Sequence, residues 1–505
     1  MKPAKQWIKF GRHAICLFTM GWVLLFCRFA QADELLKSCR VDGFAQQVQC
    51  GEIQRPLNPD EPDGKKISVH FIVLTARDKN KAPDPIFLLA GGPGQSAISV
   101  ASWIQAVFEK LQRRHDLVFV DQRGTGLSAP LNCAENNNLQ GIGDDDFSAR
   151  EMLKCKTQLQ QLPYGDLRFY TTTIAMQDLD AVRAALNYPS IDLIGVSYGT
   201  RAALEYQRLF PTHVRRSIID GVVQPDQMIS DADLQTALNN LFTDCSEDGR
   251  CQKAFPTLRQ DWKSLLAGLP QSTVLTHPRL GTQTKATVTR NDVLGWVSQV
   301  IYSPVNSAAL PQAIEQADKG NFNPLLALSG AGSLPDPGRV AMGMHFSVVC
   351  SEEFGRAAQG QAVKPDSESD SANDFGGMHK REYQKVCQQW PRGTVPDGFY
   401  TVPVSATPVL LLSGGIDPVT PPWHAEKVAK QLGSMARHII LAHAGHGTLQ
   451  QSCLTDVATK FINAKTDHEA VNVDASCVTQ IPRPSVWIAP VARPIANQTA
   501  PAEAP

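Results

Sequence analysis

The chain has 505 residues, 43% of them hydrophobic, and carries a formal net charge of −1 at pH 7. This nearly balanced charge excludes the strongly basic class of nucleic-acid-binding proteins. The length exceeds that of one ordinary domain, so we expect a core domain together with a large insertion or a second domain.

Residues 1–32 have the pattern of a secretory signal peptide. A basic start precedes an apolar stretch at 14–26, and Ala30-Gln31-Ala32 offers a cleavage site before Asp33. The apolar stretch is short for a membrane span, and Phe26 disfavours lipid attachment at Cys27, although an uncleaved anchor and a lipoprotein are the alternatives. We therefore predict an exported protein, periplasmic or extracellular, with no stable membrane insertion after signal cleavage.

Ten cysteines follow the predicted cleavage site, an even number that is typical of disulfides formed in an oxidising compartment. They are Cys39, Cys50, Cys133, Cys155, Cys245, Cys251, Cys350, Cys387, Cys453 and Cys477. Pairing in sequence order is the simplest arrangement, with Cys245 and Cys251 closing a local loop. Zinc binding is the competing interpretation, but the chain has no Cys-x-x-Cys pair.

Short apolar runs along the chain are typical of buried parallel strands that are covered on both faces. These runs are 86–89, 117–120, 191–194, 217–219, 409–412 and 438–441, while 67–74 alternates as an antiparallel strand would. Helical patterns such as 174–186 lie between them. The predicted fold class is therefore α/β, with a doubly wound, mostly parallel sheet.

The alternation of strands and helices stops between residues 224 and 404 and resumes at Val409. We interpret this segment as a large, mainly helical cap, inserted before the strand that precedes Asp417. The predicted organisation is a signal peptide at 1–32, a core at 33–223 and 405–480, a cap at 224–404, and a disordered Pro- and Ala-rich tail at 481–505. Within the cap we expect a mobile polar stretch at 366–374.

Ser197 lies in Gly195-Val196-Ser197-Tyr198-Gly199, between the predicted strand at 191–194 and a predicted helix at 200–206. A strand, a tight turn and a helix hold a nucleophilic serine exposed, and the two glycines allow the sharp turn and the close approach of its flanks. The pattern predicts a serine hydrolase. An ordinary serine in a glycine-rich turn is the alternative.

Asp417 and His446 are the predicted acid and base that a weakly nucleophilic serine hydroxyl needs. Each follows an apolar strand, in the chain order serine, acid, histidine. Asp220, which also ends a strand, is the substitute acid. His443 is the competing base, but glycines on both sides let His446 approach the serine more closely. A metal pair of these two histidines lacks an obvious third ligand.

The backbone N–H groups of Gly92 and Tyr198 are the predicted donors to the oxyanion. Gly92 lies in Ala90-Gly91-Gly92-Pro93-Gly94, directly after the strand at 86–89. We prefer it because Pro93 has no N–H and a glycine admits the substrate closely. A phosphate-binding loop is the alternative, but the lysine and the hydroxyl residue of that motif are missing.

Five motifs are spread along the chain: Gly91-Gly92-Pro93-Gly94, Asp121-Gln122-Arg123-Gly124-Thr125-Gly126-Leu127-Ser128, Gly195-Val196-Ser197-Tyr198-Gly199-Thr200, Asp417-Pro418-Val419-Thr420-Pro421 and Gly445-His446-Gly447. Together they resemble the secreted tripeptidyl aminopeptidase branch of the proline iminopeptidase family, over about residues 39–477. Ala90 departs from the histidine that usually precedes the glycines in this family, although the secreted branch often lacks it.

The resemblance implies an α/β-hydrolase fold with Ser197, Asp417 and His446 as the triad. It also implies an exopeptidase for peptides with a free N-terminus, with no metal or organic cofactor. A secreted carboxylesterase or lactonase with the same triad is the alternative function, and a catalytically silent binding domain is a third.

An aminopeptidase must also bind the substrate ammonium, most simply with a carboxylate. Val349-Cys350-Ser351-Glu352-Glu353-Phe354 is similar to the cap segment that meets the amino group in relatives. The similarity makes Glu352 the preferred anchor and Glu353 the second. Two solvated surface acids are the alternative.

Overall fold

The computed structural model describes residues 35–134, 141–330, 339–356 and 373–489. The predicted signal peptide, the predicted mobile stretch up to residue 372 and the tail from residue 490 lie outside the described residues. None of the helices in the described part of the chain has the length and apolar character that a membrane span requires.

Strands alternate with helices on either side of a mainly helical stretch between residues 221 and 408. The described strands are β1 (Leu36–Cys39), β2 (Val48–Pro56), β3 (Lys66–Leu74), β4 (Ile86–Leu89), β5 (Leu117–Val120), β6 (Ile191–Val196), β7 (Val214–Asp220), β8 (Gln271–Thr276), β9 (Gln283–Val288), β10 (Val409–Gly414) and β11 (Ala436–Leu441). The described α-helices are α1 (Ala97–Gln112), α2 (Phe147–Leu159), α3 (Thr172–Ala185), α4 (Tyr198–Leu209), α5 (Asp231–Glu247), α6 (Gly249–Ala254), α7 (Leu258–Ala267), α8 (Arg290–Ile301), α9 (Pro304–Ser307), α10 (Leu310–Asp318), α11 (Asn323–Leu328), α12 (Met342–Glu352), α13 (Met378–Cys387), α14 (Pro422–Leu432), α15 (Ser452–Asn463) and α16 (Asp467–Val471).

Nine of these strands form one sheet, in the order β1-β2-β3-β5-β4-β6-β7-β10-β11. The pairs from β5 to β11 in this order run parallel, whereas β1, β2 and β3 pair antiparallel with their neighbours. The mostly parallel sheet predicted from the apolar runs is confirmed. The carboxyl ends of β4, β6, β7, β10 and β11 therefore meet at one edge, where this kind of sheet places its ligands.

Helices cover both faces of the sheet because successive strand residues point to opposite sides. On one face, Val409 and Leu411 of β10 pack with α3, α4 and α14. On the other face, Leu410 and Leu412 pack with α1 and α15. A continuous apolar run such as 409–412 is thus buried from both sides, as the sequence predicted.

Two pairs of strands were not predicted. Strands β1 and β2 extend the sheet at its antiparallel edge, and β8 and β9 form a separate hairpin. Most of their residues are polar and lie at least partly exposed. No apolar run marks such strands, because their backbone pairing does not depend on two buried faces.

The chain leaves the sheet between β7 and β10, in a stretch that we call the inserted segment (residues 221–408). Helices α5 to α8, α10 and α11 share a hydrophobic core that includes Phe242, Trp262 and Phe322. By contrast, Met344 of α12 and Cys387 of α13 pack into the core beneath the sheet. The inserted segment therefore consists of one part with its own core and one part anchored to the sheet. The cap boundaries at 224 and 404 stay predictions.

The start of the predicted disordered tail contacts the inserted segment. Arg483 forms an ion pair with Asp244, and the backbone N–H of Trp487 donates to the carbonyl of Ala308 at 2.9 Å. Val486 packs against the hydrophobic core that contains Phe242 and Trp262. The prediction of disorder from residue 481 is wrong for these residues, because composition does not register such specific contacts.

The ten cysteines form five disulfides in sequence order, as predicted. The pairs are Cys39–Cys50, Cys133–Cys155, Cys245–Cys251, Cys350–Cys387 and Cys453–Cys477, with Cα atoms 5.0 to 6.0 Å apart. Each joins residues close in sequence, so each secures a local loop rather than tying distant segments. The Cys350–Cys387 bridge joins the ends of α12 and α13.

We expect the mature protein to begin at Asp33 and to contain no free thiol. Ten cysteines in five bridges leave nothing to alkylate in the denatured, unreduced protein, whereas reduction should expose ten thiols. Intact mass before and after reduction and alkylation measures both the first residue and the thiol count. Any label taken up before reduction would contradict the pairing.

Candidate active site

Ser197 occupies a strained turn between β6 and α4. Its backbone φ is 56° and its ψ is −124°, a conformation that a residue other than glycine adopts at a cost of roughly 1–3 kcal/mol. A Cβ at position 195 would lie 2.3 Å from the carbonyl oxygen of Gly199, so only glycine fits there. The Ser197 N–H donates to the carbonyl of Asp220 at 2.8 Å, which ties the turn to the end of β7.

His446 and Asp417 form a hydrogen-bonded pair at the ends of β11 and β10. The distance from His446 Nδ1 to Asp417 Oδ2 is 2.8 Å. Asp417 Oδ1 accepts the backbone N–H groups of Val419 and Thr420, each at 2.9 Å, and the Thr420 hydroxyl donates to Oδ2 at 2.7 Å. The carboxylate is thus held in place by three donors besides the histidine, as an orienting acid requires.

The carboxylate of Asp417 and the imidazolium of His446 stabilise each other's charged forms. Burial disfavours ionisation of Asp417, but the charge and hydrogen bond of His446 outweigh it and hold the pKa of this carboxyl below its ordinary value. Burial also disfavours the imidazolium, but Asp417 outweighs it and raises the pKa of His446 above its ordinary value. A histidine with a stabilised cation is a stronger proton acceptor, which suits a general base.

Asp220 and His443, the alternative acid and base, both lie outside the hydrogen-bonded pair of Asp417 and His446. Asp220 accepts hydrogen bonds from the N–H groups of Thr448 and Leu449 and from the Thr448 hydroxyl, at 2.6 to 2.9 Å. It therefore fixes the loop that carries His446, rather than the imidazole itself, and burial raises the pKa of its carboxyl. His443 is exposed and does not line the cavity described below.

The glycine-rich loop after β4 is held by α12. Gly92 has a φ of +110°, and its neighbour Pro93 presents its carbonyl oxygen 3.0 Å from Nδ1 of His345. Nε2 of His345 lies 2.7 Å from the hydroxyl of Tyr383. Burial lowers the pKa of His345 to about 4, so its neutral ring donates through Nδ1 and accepts through Nε2. Neither contact was anticipated from the sequence.

Ser197, His446, Gly92 and Tyr198 all line one cavity of about 630 Å³. Tyr198 is the first residue of α4, so its backbone N–H is among those a helix leaves without an intrahelical partner. Asp417 does not line the cavity and lies behind His446. The structure thus brings the predicted nucleophile, base, acid and oxyanion donors to a single site at the carboxyl edge of the sheet.

The structure places the two cap acids in different surroundings. Glu352 does not line the cavity: its Oε1 accepts the N–H of Thr172 at 2.7 Å and its Oε2 accepts the Thr172 hydroxyl at 3.0 Å. Burial raises the pKa of Glu352 to about 7. Glu353 does line the cavity, where it pairs with Arg201 at 3.0 Å and accepts the N–H of Ile229. Neither is a solvated surface acid.

Asp231, at the first position of α5, is an acid of this cavity that sequence reasoning missed. It is 1% exposed, and its Oδ1 lies 2.6 Å from Nδ1 of His379. Its other oxygen, Oδ2, is buried and has no hydrogen-bond partner among the described residues. In the sequence Asp231 is one of two acids at a helix start, where a role in the first turn is the ordinary interpretation.

Tyr302 is a second unpredicted neighbour of the site. Its ring meets the imidazole of His446 edge to face, with centroids 5.5 Å apart, and its carbonyl accepts the His446 N–H at 3.3 Å. The inserted segment thus supports the base as well as covering it. No local motif marks Tyr302, since the contact joins residues 144 positions apart.

Among the described residues, Asp84, His115 and Asp192 form a cluster of possible metal ligands near the amino ends of β4, β5 and β6. The cation of Arg215 already lies among them, 2.7 Å from Asp84 and in an ion pair with Asp192. This cluster therefore fits a buried ion-pair network, and it lies at the sheet edge opposite Ser197.

The family model for the α/β-hydrolase fold matches residues 84–449, most of the chain. The chain belongs to the α/β-hydrolase fold family. This match begins just before β4 and ends just after His446, so it spans the elements that carry the site. The fold expected from the motifs is confirmed.

Named relatives of this α/β-hydrolase include peptidases and an esterase. It is 25% identical to the serine protease Hip1 of Mycobacterium tuberculosis over 453 residues, which cover 82% of this chain and 84% of Hip1. It is 30% identical to the tripeptidyl aminopeptidase of Streptomyces lividans over 223 residues, 41% of each chain. It is also 26% identical to carboxylesterase B of M. tuberculosis, over 77% of this chain and 78% of that one. The chain is therefore an enzyme of the serine hydrolase type.

Proposed function

We propose that this hydrolase is an exported serine aminopeptidase, which cuts peptide bonds near a free N-terminus. Ser197 is the nucleophile, His446 the general base and acid, and Asp417 the orienting acid. The hydrogen bond between His446 and Asp417 supports these roles, because it engages Nδ1 of the imidazole and leaves Nε2 as the nitrogen that can accept the serine proton. Release of tripeptides, of single aminoacyl residues or of prolyl residues uses this same machinery.

The reaction proceeds in two halves. The Ser197 hydroxyl attacks the scissile carbonyl while His446 takes its proton, and the backbone N–H groups of Gly92 and Tyr198 stabilise the oxyanion. His446 returns the proton to the leaving amine, and the C–N bond breaks to give an ester on Ser197. Water, deprotonated by His446, then attacks this ester. The C–O bond to Ser197 breaks as His446 returns the proton to the serine oxygen, which releases the N-terminal product and restores the enzyme.

The observation that favours a peptidase over an esterase is the acidic wall of the cavity, formed by Asp231, Asp233 and Glu353. A substrate ammonium that leaves water needs a fixed counter-charge. Asp231 Oδ2 supplies one, since it is buried at the cavity without a hydrogen-bond partner among the described residues. We assign it as the ammonium anchor, with Glu353 as the second carboxylate. A neutral ester has no ammonium group for this acidic wall to bind.

A secreted carboxylesterase or lactonase is the second candidate, and the similarity to carboxylesterase B favours it. Export to a periplasm or to the medium is supported by the signal-like sequence at 1–32 and by the five disulfides.

Free and N-acetylated forms of one peptide, together with a small neutral ester, separate the two functions. We expect cleavage of the free peptide and not of the acetylated one. Asp231→Asn should lower kcat/KM for the free peptide by about 2–4 kcal/mol of transition-state binding, the range for breaking a desolvated charge pair, and should leave the ester nearly unchanged. Asn keeps an oxygen for His379, so this change need not disturb the fold.

Glu352→Gln is the matched control, because Glu352 is equally buried but bonded to Thr172 outside the cavity. Its effect on the peptide and on the ester should be equal. Ester hydrolysis without peptide cleavage would overturn the peptidase assignment. If kcat/KM for the free peptide fell selectively in Glu352→Gln and not in Asp231→Asn, Glu352 would be the ammonium anchor, as the sequence predicted.

A further inference from the structure

Helix α1 carries two apolar stripes, one buried in the core and one at the edge of the cavity. Ala97, Ala101 and Leu111 are at most 2% exposed and face the sheet. A second set at helical spacing lines the cavity: Val100, Trp103, Ile104 and Val107, of which all but Trp103 also pack partly against the core. Trp103 is 49% exposed, which is unusual for so large an apolar side chain beside a nucleophile. We call this second set the α1 wall.

The α1 wall and the acidic wall differ in chemistry. None of the cavity-lining residues of α1 is charged, and Phe108 and Leu449 extend the apolar surface. The charged lining residues are Arg201 of α4, Asp220 of β7, Asp231 and Asp233 of α5, and Glu353 at the end of α12. Because α1 packs on one face of the sheet and α4 and α12 pack on the other, a substrate at Ser197 meets an apolar surface on one side and a charged one on the other.

The orientation of a bound peptide follows from the proposed function, on which this inference rests. If the free ammonium lies against Asp231, the residues before the scissile bond lie along the acidic wall. The leaving amine must face His446, which protonates it. Leu449, three residues after His446, packs in the same core as Phe108 of α1, and α15 after it pairs with α1 through Asp456 and Lys110. The α1 wall is thus continuous with the His446 loop.

We propose that the α1 wall is the binding subsite for the first residue after the scissile bond, and that it takes apolar or aromatic side chains. Burying an apolar side chain against Trp103 and its neighbours removes apolar surface from water, while a carboxylate there would lose hydration without a partner. Trp103 is the main specificity residue because it is the largest and most exposed member of the wall.

The test uses peptides with a free N-terminus, in which one position at a time is Phe, Leu, Gly or Asp, with the cut bond located by product mass. The wild type should prefer Phe or Leu over Gly and Asp directly after the cut bond, by on the order of tenfold or more in kcat/KM. Trp103→Ala should reduce this preference to within about threefold, and Trp103→Phe should keep most of it. In both Trp103 variants, the preference for residues before the cut bond should not change.

Trp487→Ala is the matched control, because Trp487 is 50% exposed and does not line the cavity. It should leave every preference intact. Cleavage without preference after the cut bond, or a change before that bond in Trp103→Ala, would overturn the subsite while leaving the peptidase function standing. If no free peptide is cut although esters are, the proposed function fails, and the subsite fails with it.

Discussion

Ser197→Ala is expected to lower kcat by on the order of 10⁴-fold or more, because the change removes the atom that forms the acyl-enzyme and the triad acts as a unit. The protein should still fold. The Ser197 side chain is only partly buried, and the backbone bond from its N–H to Asp220 is kept in the variant. Steady-state kinetics on the preferred substrate and the thermal unfolding midpoint measure the two effects.

Ser298→Ala is the control for this result. Ser298 also lines the cavity and is 2% exposed, but its hydroxyl donates to the carbonyl of Leu294 within its own helix. We expect its kcat to stay within a few-fold of the wild type. If Ser197→Ala retained more than a hundredth of the activity, another group would have to be the nucleophile.

His446→Ala should reduce kcat by a similar factor, and Asp417→Asn by about 10³–10⁴-fold, because the amide no longer selects the productive imidazole tautomer. His443→Ala should change kcat by less than about threefold, since His443 is exposed on the same loop and lies outside the cavity. It is therefore a matched control for His446. An inactive His443→Ala beside an active His446→Ala would reverse the assignment of the base.

The pH profile of kcat/KM tests the assignment of His446 as the general base. His446 must be neutral to accept the Ser197 proton, so activity is lost as the pH falls through its pKa. Because Asp417 raises that pKa, the acid limb of kcat/KM should have its midpoint above about 6.5, the ordinary value for histidine. In Asp417→Asn the residual activity should show a midpoint at lower pH. A wild-type midpoint well below 6 would be inconsistent with this pair.

The elements that carry the chemistry could be predicted because each has a local signature. The turn at Ser197 needs glycine on both sides, and the buried strands before Ser197, Asp417 and His446 are continuous apolar runs. Loops at the carboxyl ends of parallel strands converge on one edge, so the order of strands in sequence was enough to bring these residues together. The disulfide pairing could also be predicted from the sequence, because all five bridges close short loops.

The proposed ammonium anchor could not be predicted in the same way. Glu352 and Glu353 are adjacent at the end of α12, and a step of one residue rotates a side chain by about 100° around a helix. One acid therefore points to Thr172 and the other to the cavity, and the sequence does not distinguish them. Asp231 and Tyr302 reach the site through the packing of the inserted segment, which depends on contacts between residues far apart in sequence.

The most direct measurement of the central claim is the site at which a fluorophosphonate attaches to the intact, oxidised protein. Peptide mapping after stoichiometric labelling should find one modified residue, Ser197. Labelling should be absent in Ser197→Ala, strongly slowed in His446→Ala, and normal in His443→Ala and Ser298→Ala. A label on any other serine, or equal labelling of Ser197→Ala and the wild type, would contradict the account.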